Sequence, residues 1–360
     1  MSELTFPFEQ VPEPGTLTNI TDGVFWLRMP LPLALDHINL YLLEDHDGWW
    51  IIDTGIKSDI TQQHWQTIFD TQLRGKPIKA VLATHMHPDH IGQAGWLCDQ
   101  WRAPFYMSLG EYFSALSFTK TTAQDFSWQA EEYFRSTGLP DDFFVQMKNK
   151  FTGFQSLVEP LPSSYRRLEE GQQLIINGQQ WRVIIGSGHS PEHVCLYCEA
   201  LDVLLSGDQL IAGISSNVSV MAVEPEADPL DRWLKSLAKL KQVADSTLIL
   251  PAHKLPFRGA RARVGELEHH HAQHLQALIN ACVDKKTAVQ LLPVLFKRKL
   301  DDNVLTMALG ECVAHLRYLC RQQRLQRFTD GNGVDWYLSD SSDVKPLKND
   351  DEAGDIPLQV

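Results

Sequence analysis

A chain of 360 residues that is 43% hydrophobic can bury one large core and a smaller appendage, because single cores rarely grow past roughly 250–300 residues. The formal net charge of −13 excludes a broad nucleic-acid footprint, which needs clustered Lys and Arg. The opening MSELTFPFEQVPEPG has no basic segment ahead of an apolar run, no stretch is long and apolar enough to span a bilayer, and six cysteines are too sparse for a disulfide scaffold, so a soluble, cytoplasmic protein with reduced thiols and no membrane partner is expected.

In chain order, Thr18–Met29, Ile38–Glu44 and Trp49–Asp53 read as strands rich in β-branched and aromatic residues. A helix is predicted over about Asp59–Leu73, then an apolar strand, Ile78–Ala83, that runs into Thr84-His85-Met86-His87-Pro88-Asp89-His90. Residues 111–162 form a helix-prone insertion with Tyr112, Phe113, Phe118, Phe126, Trp128, Tyr133, Phe134, Phe143, Phe144, Phe151 and Phe154. These rings read either as plain core or as a roof over a site. Trp181–Ile185 ends in Gly186-Ser187-Gly188-His189, Val203–Leu205 in Ser206-Gly207-Asp208, and Thr247–Leu250 in Pro251-Ala252-His253. Four strands thus each deliver a His or Asp at the carboxyl end, where loops converge on a rigid sheet. Cys195 and Cys198 form a CxxC within a strand-like run, where residues three apart face opposite ways, so they read as core. Helices over Val264–Val283, Ala288–Phe296 and Val304–Arg324 and a hairpin around Asp330-Gly331-Asn332-Gly333 predict a winged-helix-like unit at 261–340, followed by a disordered acidic tail at 341–360. His269, His270, His271 and His274 read as a solvated helix face.

The chemistry concentrates in HxHxDH. On a loop after a strand, alternate residues project to one side, so His85 and His87 can share one metal while Asp89 and His90 turn to a second. Imidazole and carboxylate donors without thiolate suit catalytic zinc that keeps a position open for water, with iron or manganese as alternatives.

Through THMHPDHIG at 84–92, GHSPEH at 188–193, SGDQL at 206–210 and PAH at 251–253, the chain resembles the metallo-β-lactamase superfamily over roughly residues 18–260. The resemblance implies an α/β (α+β) fold, an αββα sandwich, as a catalytic domain at 1–260. It implies that His85, His87 and His189 hold one zinc, that Asp89, His90 and His253 hold a second, and that Asp208 bridges the two. It also implies that Asp53, in Ile51-Ile52-Asp53-Thr54-Gly55, orients a ligand imidazole, and His193 is expected in a similar supporting place. A hydroxide bridging two zincs is the implied nucleophile, oriented by Asp89. Asp36 and His37, on the hairpin that overhangs the metals in the family, are candidate substrate contacts.

The resemblance extends to several reactions. True zinc β-lactamases usually carry Cys where this chain has Asp208, which argues against antibiotic hydrolysis, and the GHSPEH motif with a helical tail looks similar to glyoxalase II-like hydrolases and lactamase-β-like endoribonucleases. Residues 254–329 carry 13 Lys and Arg against 6 Asp and Glu, a segment that could meet RNA or the phosphates of coenzyme A. The aromatic insertion favours an acyl substrate. The expectation is therefore a zinc-dependent thioesterase or related esterase, with a metal-dependent endoribonuclease or lactonase as the alternative. Its partner would be a small-molecule substrate, with nucleic acid second, and a homodimer is left open.

Overall fold

The computed structural model describes residues 3–32, 35–121, 127–150, 153–297, 300, 302–340 and 343–344. Phe126 and Phe151 of the insertion, and the proposed tail apart from Asp343 and Val344, lie outside the described residues.

The chain begins with β1 (Thr18–Thr21) and β2 (Val24–Pro30), two antiparallel strands where one was expected. The reason is Asp22-Gly23, which folds the chain back on itself with Gly23 at φ 71°, a conformation that glycine adopts without Cβ strain. β3 (His37–Asp45) and β4 (Gly48–Ile52) extend the antiparallel meander. β5 (Ile78–Leu82) then pairs parallel to β4, which requires a crossover, and α1 (Asp59–Thr71) supplies it. Ser58 caps α1 by accepting the Thr61 N–H at 3.1 Å, and Thr61, Trp65 and Ile68 form its buried stripe. After α2 (Pro88–Ile91) and α3 (Ala94–Trp101), β6 (Phe105–Met107) and β7 (Arg166–Arg167) complete a seven-stranded sheet in sequence order.

A five-stranded sheet, order β12-β11-β10-β9-β8, comprises β8 (Gln173–Ile176), β9 (Gln179–Gly186), β10 (His193–Cys198), β11 (Val203–Gly207) and β12 (Leu248–Pro251). Strand periodicity of two explains how the layers stack. In β3, Leu40 and Leu42 pack with Trp65 and Ile68 of α1 and Leu97 of α3, whereas Tyr41 and Leu43 join Trp181, Val183, Val194 and Leu196 of the second sheet. The first sheet is therefore buried on both faces, the middle of the expected αββα sandwich. Each fully buried Leu or Val there stabilises by roughly 1.5–3 kcal/mol relative to exposure. Cys198 joins the cluster between the sheets, and Cys195, buried on the opposite face, lies 3.7 Å from the His193 ring; all six cysteines are free thiols.

Packing divides the chain into two units, each discontinuous in sequence. The first takes the described parts of Met1–Thr121, Thr152–Gly213 and Leu237–Arg263, the second those of Thr122–Phe151, Ile214–Ser236 and Val264–Val360. The sequence reading draws a single border at residue 260 instead. The aromatic insertion is thereby shared out. Tyr112, Phe118 and Phe154 pack into the sandwich, while Tyr133, Phe134 and Phe143, from α5 (Trp128–Ser136) and α6 (Asp141–Lys150), pack with Leu278, Leu291, Leu309 and Leu316 in the second unit. Plain core accounts for these six rings. Phe113 and Trp128 are exposed.

After α7 (Pro229–Leu240), the C-terminal elements are α8 (Ala260–Ala281), α9 (Ala288–Leu295), α10 (Asp302–Arg321) and an antiparallel hairpin of β13 (Leu325–Thr329) and β14 (Asp335–Ser339). Three helices and a hairpin thus stand in the expected order. The histidine run on α8 departs from expectation. Only His269 is exposed; His270 and His271 are buried and His274 is half-buried, because this stretch of α8 packs against α10, where the His315 ring lies 5.3 Å from that of His271. No helix among the described residues is long and apolar enough to cross a membrane.

Candidate metal centre

Strand direction gathers the site. β11 and β12 are parallel, and β9 runs the same way because both it and β11 are antiparallel to β10. Their carboxyl ends therefore share one edge, from which His189, Asp208 and His253 emerge. In the first sheet, parallel pairing sets the ends of β4 and β5 side by side and delivers Asp53 next to Thr84 and the HxHxDH loop. The Val194 N–H donates to the Thr84 carbonyl at 2.8 Å and links the two edges at the site.

The seven expected ligands come together in two groups. His85, His87, His189 and Asp208 form one; Asp89, His90 and His253 form the other; within each group the donor atoms lie within 4.8 Å of one another. Asp208 stands between them. Its Oδ2 is 3.4 Å from His189 Nε2, 3.7 Å from His85 Nε2 and 3.5 Å from His90 Nε2, while its Oδ1 is 3.5 Å from His253 Nε2. Asp89 Oδ2 lies 3.4 Å from His253 Nε2 and 3.7 Å from His90 Nε2. Apart from an imidazole pair at 2.8 Å, His85 Nε2 to His87 Nδ1, these spacings exceed those of good hydrogen bonds and suit donors that converge on an ion.

The nitrogen turned away from the cluster is held on several rings, which aims the other one inward. His90 Nδ1–H donates to Asp53 Oδ2 at 2.8 Å. Asp53 also accepts the Thr84 N–H at 2.7 Å and the Thr84 hydroxyl, whose oxygen is 3.1 Å from His85 Nδ1. Having given its proton to Asp53, that oxygen accepts the His85 Nδ1–H. His253 Nδ1–H donates to the His37 carbonyl at 2.8 Å. His193 Nε2 accepts the Asp208 backbone N–H at 3.0 Å, and a Cβ on Gly207 would lie 2.6 Å from the His193 ring, so residue 207 must lack a side chain.

Asp36 and His37, the candidate substrate contacts, lie beside the turn that carries His253. The His37 ring donates to Asp36 at 2.7 Å and accepts the Lys254 N–H at 3.1 Å, so both of its nitrogens are engaged. Three supporting residues were not singled out from sequence. Asn39 donates to the Pro251 and Lys254 carbonyls, and Tyr41 to the Pro251 carbonyl, which pins the turn carrying His253. Buried Glu111, on α4 (Leu109–Lys120), accepts the Met86 N–H at 2.9 Å, the Glu192 N–H at 2.7 Å and the Ser190 hydroxyl at 2.6 Å, so one carboxylate clamps the HxHxDH and GHSPEH loops together. The only trace in sequence is a solitary acid in an apolar helical stretch.

Burial and charge pull the cluster in opposite directions. Burial opposes the charged forms of His90 and His253, yet the Asp53, Asp89 and Asp208 carboxylates around His90, and Asp208 and Asp89 beside His253, hold both imidazoles above their usual range. Burial lowers His87 to about 3 and depresses His85 and His193 strongly. Asp89 is driven by burial upward but brought to about 2 by His90 and His253. The Asp89 and Asp208 carboxylates are thus held in the charged form, which suits a site for positive charge.

The model of the metallo-beta-lactamase superfamily matches residues 33–253, and that of the metallo-beta-lactamase-like C-terminal domain matches 275–340. The chain belongs to the metallo-beta-lactamase superfamily. A crystal structure of a beta-lactamase domain protein from Burkholderia ambifaria is 41% identical with a TM-score of 0.87, covering 94% of this chain and 98% of that one. A Bacillus subtilis protein named probable metallo-hydrolase YqjP is 24% identical over 87% of this chain and 97% of its own length. An Aspergillus fumigatus protein named atrochrysone carboxyl ACP thioesterase is 23% identical over 84% of this chain and 62% of its own length. As a metallo-beta-lactamase superfamily member with this His/Asp cluster, the chain is a metal-dependent hydrolase.

Proposed function

We propose that this superfamily member is a binuclear, zinc-dependent hydrolase of thioesters or related esters. The observation that carries the binuclear reading is Asp208, whose Oδ2 lies between the two donor groups, 3.4 Å from His189 and 3.5 Å from His90, while its Oδ1 faces His253. His85, His87 and His189 would hold one ion, Asp89, His90 and His253 the other, and Asp208 both. Bound there, two divalent ions would supply Lewis acidity toward the acyl oxygen and lower the pKa of a water molecule toward neutrality.

The chain's own residues do the rest. Asp53 and the His37 carbonyl keep the Nε2 atoms of His90 and His253 turned inward. Glu111 fixes the spacing of the two ligand loops, so that little reorganisation remains for the reaction. Asp89, ionised and partly accessible, can hold and orient an incoming water by accepting one of its protons in a hydrogen bond. Hydrolysis then adds water across the acyl C–S bond and releases a carboxylate, a thiol and one proton to solvent.

The thioester is supported by the Aspergillus relative named a thioesterase and by the oxygen donor Asp208 in place of a thiolate. The aromatic insertion no longer contributes, since most of its described rings are core. The ribonuclease alternative loses part of its footing too. Arg317 and Arg327 pair with Glu226 and Asp335, Arg321 with Asp228 and Arg324 with Asp343, so four of the 13 basic residues of that segment are already paired within the second unit.

The test is a parallel screen of zinc-loaded protein on acyl-coenzyme A and acyl-glutathione thioesters in one arm and single-stranded RNA in the other, each repeated after chelation. Chelator-sensitive thiol release with intact RNA is expected. RNA cleavage without thiol release would overturn the thioester reading.

A further inference from the structure

A second cluster of donors lies in the helical unit. On α8, His271 and His274 are three residues apart; on α10, Glu311 and His315 are four apart; each pair therefore lies on one helix face. The donor atoms of His274, Glu311 and His315 lie within 4.8 Å of one another, and His271 Nδ1 is 3.1 Å from His315 Nε2. We infer that His274, Glu311 and His315, with His271 beside them, form a further divalent-cation site that takes a first-row transition metal such as zinc and ties α8 to α10.

Three observations carry this inference. First, His315 has the tautomer of a ligand: its Nδ1–H donates to the Glu311 carbonyl at 2.8 Å, so its Nε2 is unprotonated, and the lone pair there accepts the His271 Nδ1–H at 3.1 Å, a contact that an ion would replace. Second, polar atoms here go unmet. Glu311 and His271 are fully buried, yet Glu311 Oε1, His271 Nε2 and the Nδ1 of His274 have no hydrogen-bond partner among the described residues. Glu311 Oε2 accepts from Asn217 Nδ2 at 2.9 Å, which steadies the carboxylate without satisfying its other oxygen. Third, the donor chemistry is that of a metal site. Imidazoles and one carboxylate converge without thiolate, which suits zinc, iron or manganese rather than calcium. His274 is only half-buried and gives an ion a way in.

The electrostatics agree. Burial pushes the Glu311 carboxyl up to about 8 and the His315 imidazole down to about 4, and burial with the neighbouring His270 and His315 brings His274 to about 2. Without a cation, burial favours the neutral form of each member. A dication rewards neutral imidazoles and an ionised carboxylate together, and nothing else among the described neighbours supplies positive charge to that carboxylate. Donors on a zinc ion stand about 3–4 Å apart, so small rotamer changes would close the present spread.

The decisive experiment uses the full-length protein, stripped of metal, equilibrated with zinc and freed of excess by desalting. Zinc per chain is counted by mass spectrometry, and zinc-edge anomalous diffraction locates each ion. The expected result is an anomalous peak among His274, Glu311 and His315 in the wild type. Glu311→Gln and His274→Ala should each lose one zinc per chain while the ions at the His85–His253 cluster stay. An unchanged zinc count in both folded variants would overturn the inference. So would the absence of that peak in zinc-loaded wild type, a measurement that decides the matter even where a variant fails to fold.

Discussion

The His/Asp cluster of the sandwich and the His/Glu cluster of the helices contain the same side-chain chemistry, yet they manage charge in opposite ways. In the sandwich, three carboxylates, Asp53, Asp89 and Asp208, stand around the rings and hold His90 and His253 above their ordinary range despite full burial. In the helical unit a single carboxyl, Glu311, faces three imidazoles, and burial wins: the acid goes up and the histidines go down. Carboxylate neighbours thus offset burial at His90 and His253, whereas burial still dominates at His85, His87 and His193 of the same cluster.

The comparison can be broken most forcefully at His87. His87→Ala should remove at least about 10³-fold of the hydrolytic rate, as loss of a metal-held catalyst generally does, while circular dichroism stays that of the wild type; turnover at the wild-type rate in a variant shown to lack metal would end the proposed mechanism. Next in size is Asp53→Ala, which frees His90 Nδ1–H and should weaken metal affinity about 10–100-fold, read by competition with a chelating dye; an unchanged affinity would show that Asp53 serves the turn alone. Glu111→Ala leaves the Met86 and Glu192 N–H groups without their acceptor. A loss of about 1–3 kcal/mol is expected for such a buried group, measured by urea unfolding of metal-free protein, with no matching loss for Glu311→Gln, whose Oε1 has no partner to forfeit.

The smallest effect calibrates both regions with a carboxylate that needs no metal. Asp45 accepts the His46 and Asn177 N–H groups and the Lys79 ammonium at 2.7 Å; burial acts against its charge, but these partners keep its pKa below the usual value. A depressed carboxylate contributes stability that is complete above its unfolded pKa, about 3.9, and is lost as pH falls through the lower folded value. Asp45→Asn should cost roughly 0.5–1 kcal/mol at pH 7 and less at pH 2 in urea melts. An equal cost at both pH values would assign the effect to packing instead of charge.

The sequence by itself nominated the seven residues of the His/Asp cluster and their order along the chain. A strand-end loop is local, and HxHxDH, His189, Asp208 and His253 each follow an apolar run whose length and composition mark a strand, so no long-range knowledge was needed to nominate them. It determined most strands and the C-terminal helices for the same reason. What only the tertiary structure decided were relations between distant segments. Asp53 meets His90 because β4 and β5 pair in parallel, and Glu111 meets residues 86 and 190–192 because α4 is laid across two loops; neither pairing leaves a periodic signal. The division of the aromatic insertion between two cores, and the burial of His271 against His315, likewise depend on which helix faces meet. A helix face reads as polar or apolar from its own residues. Whether a polar face meets water or another polar face is set by its partner, and no single segment of chain encodes that.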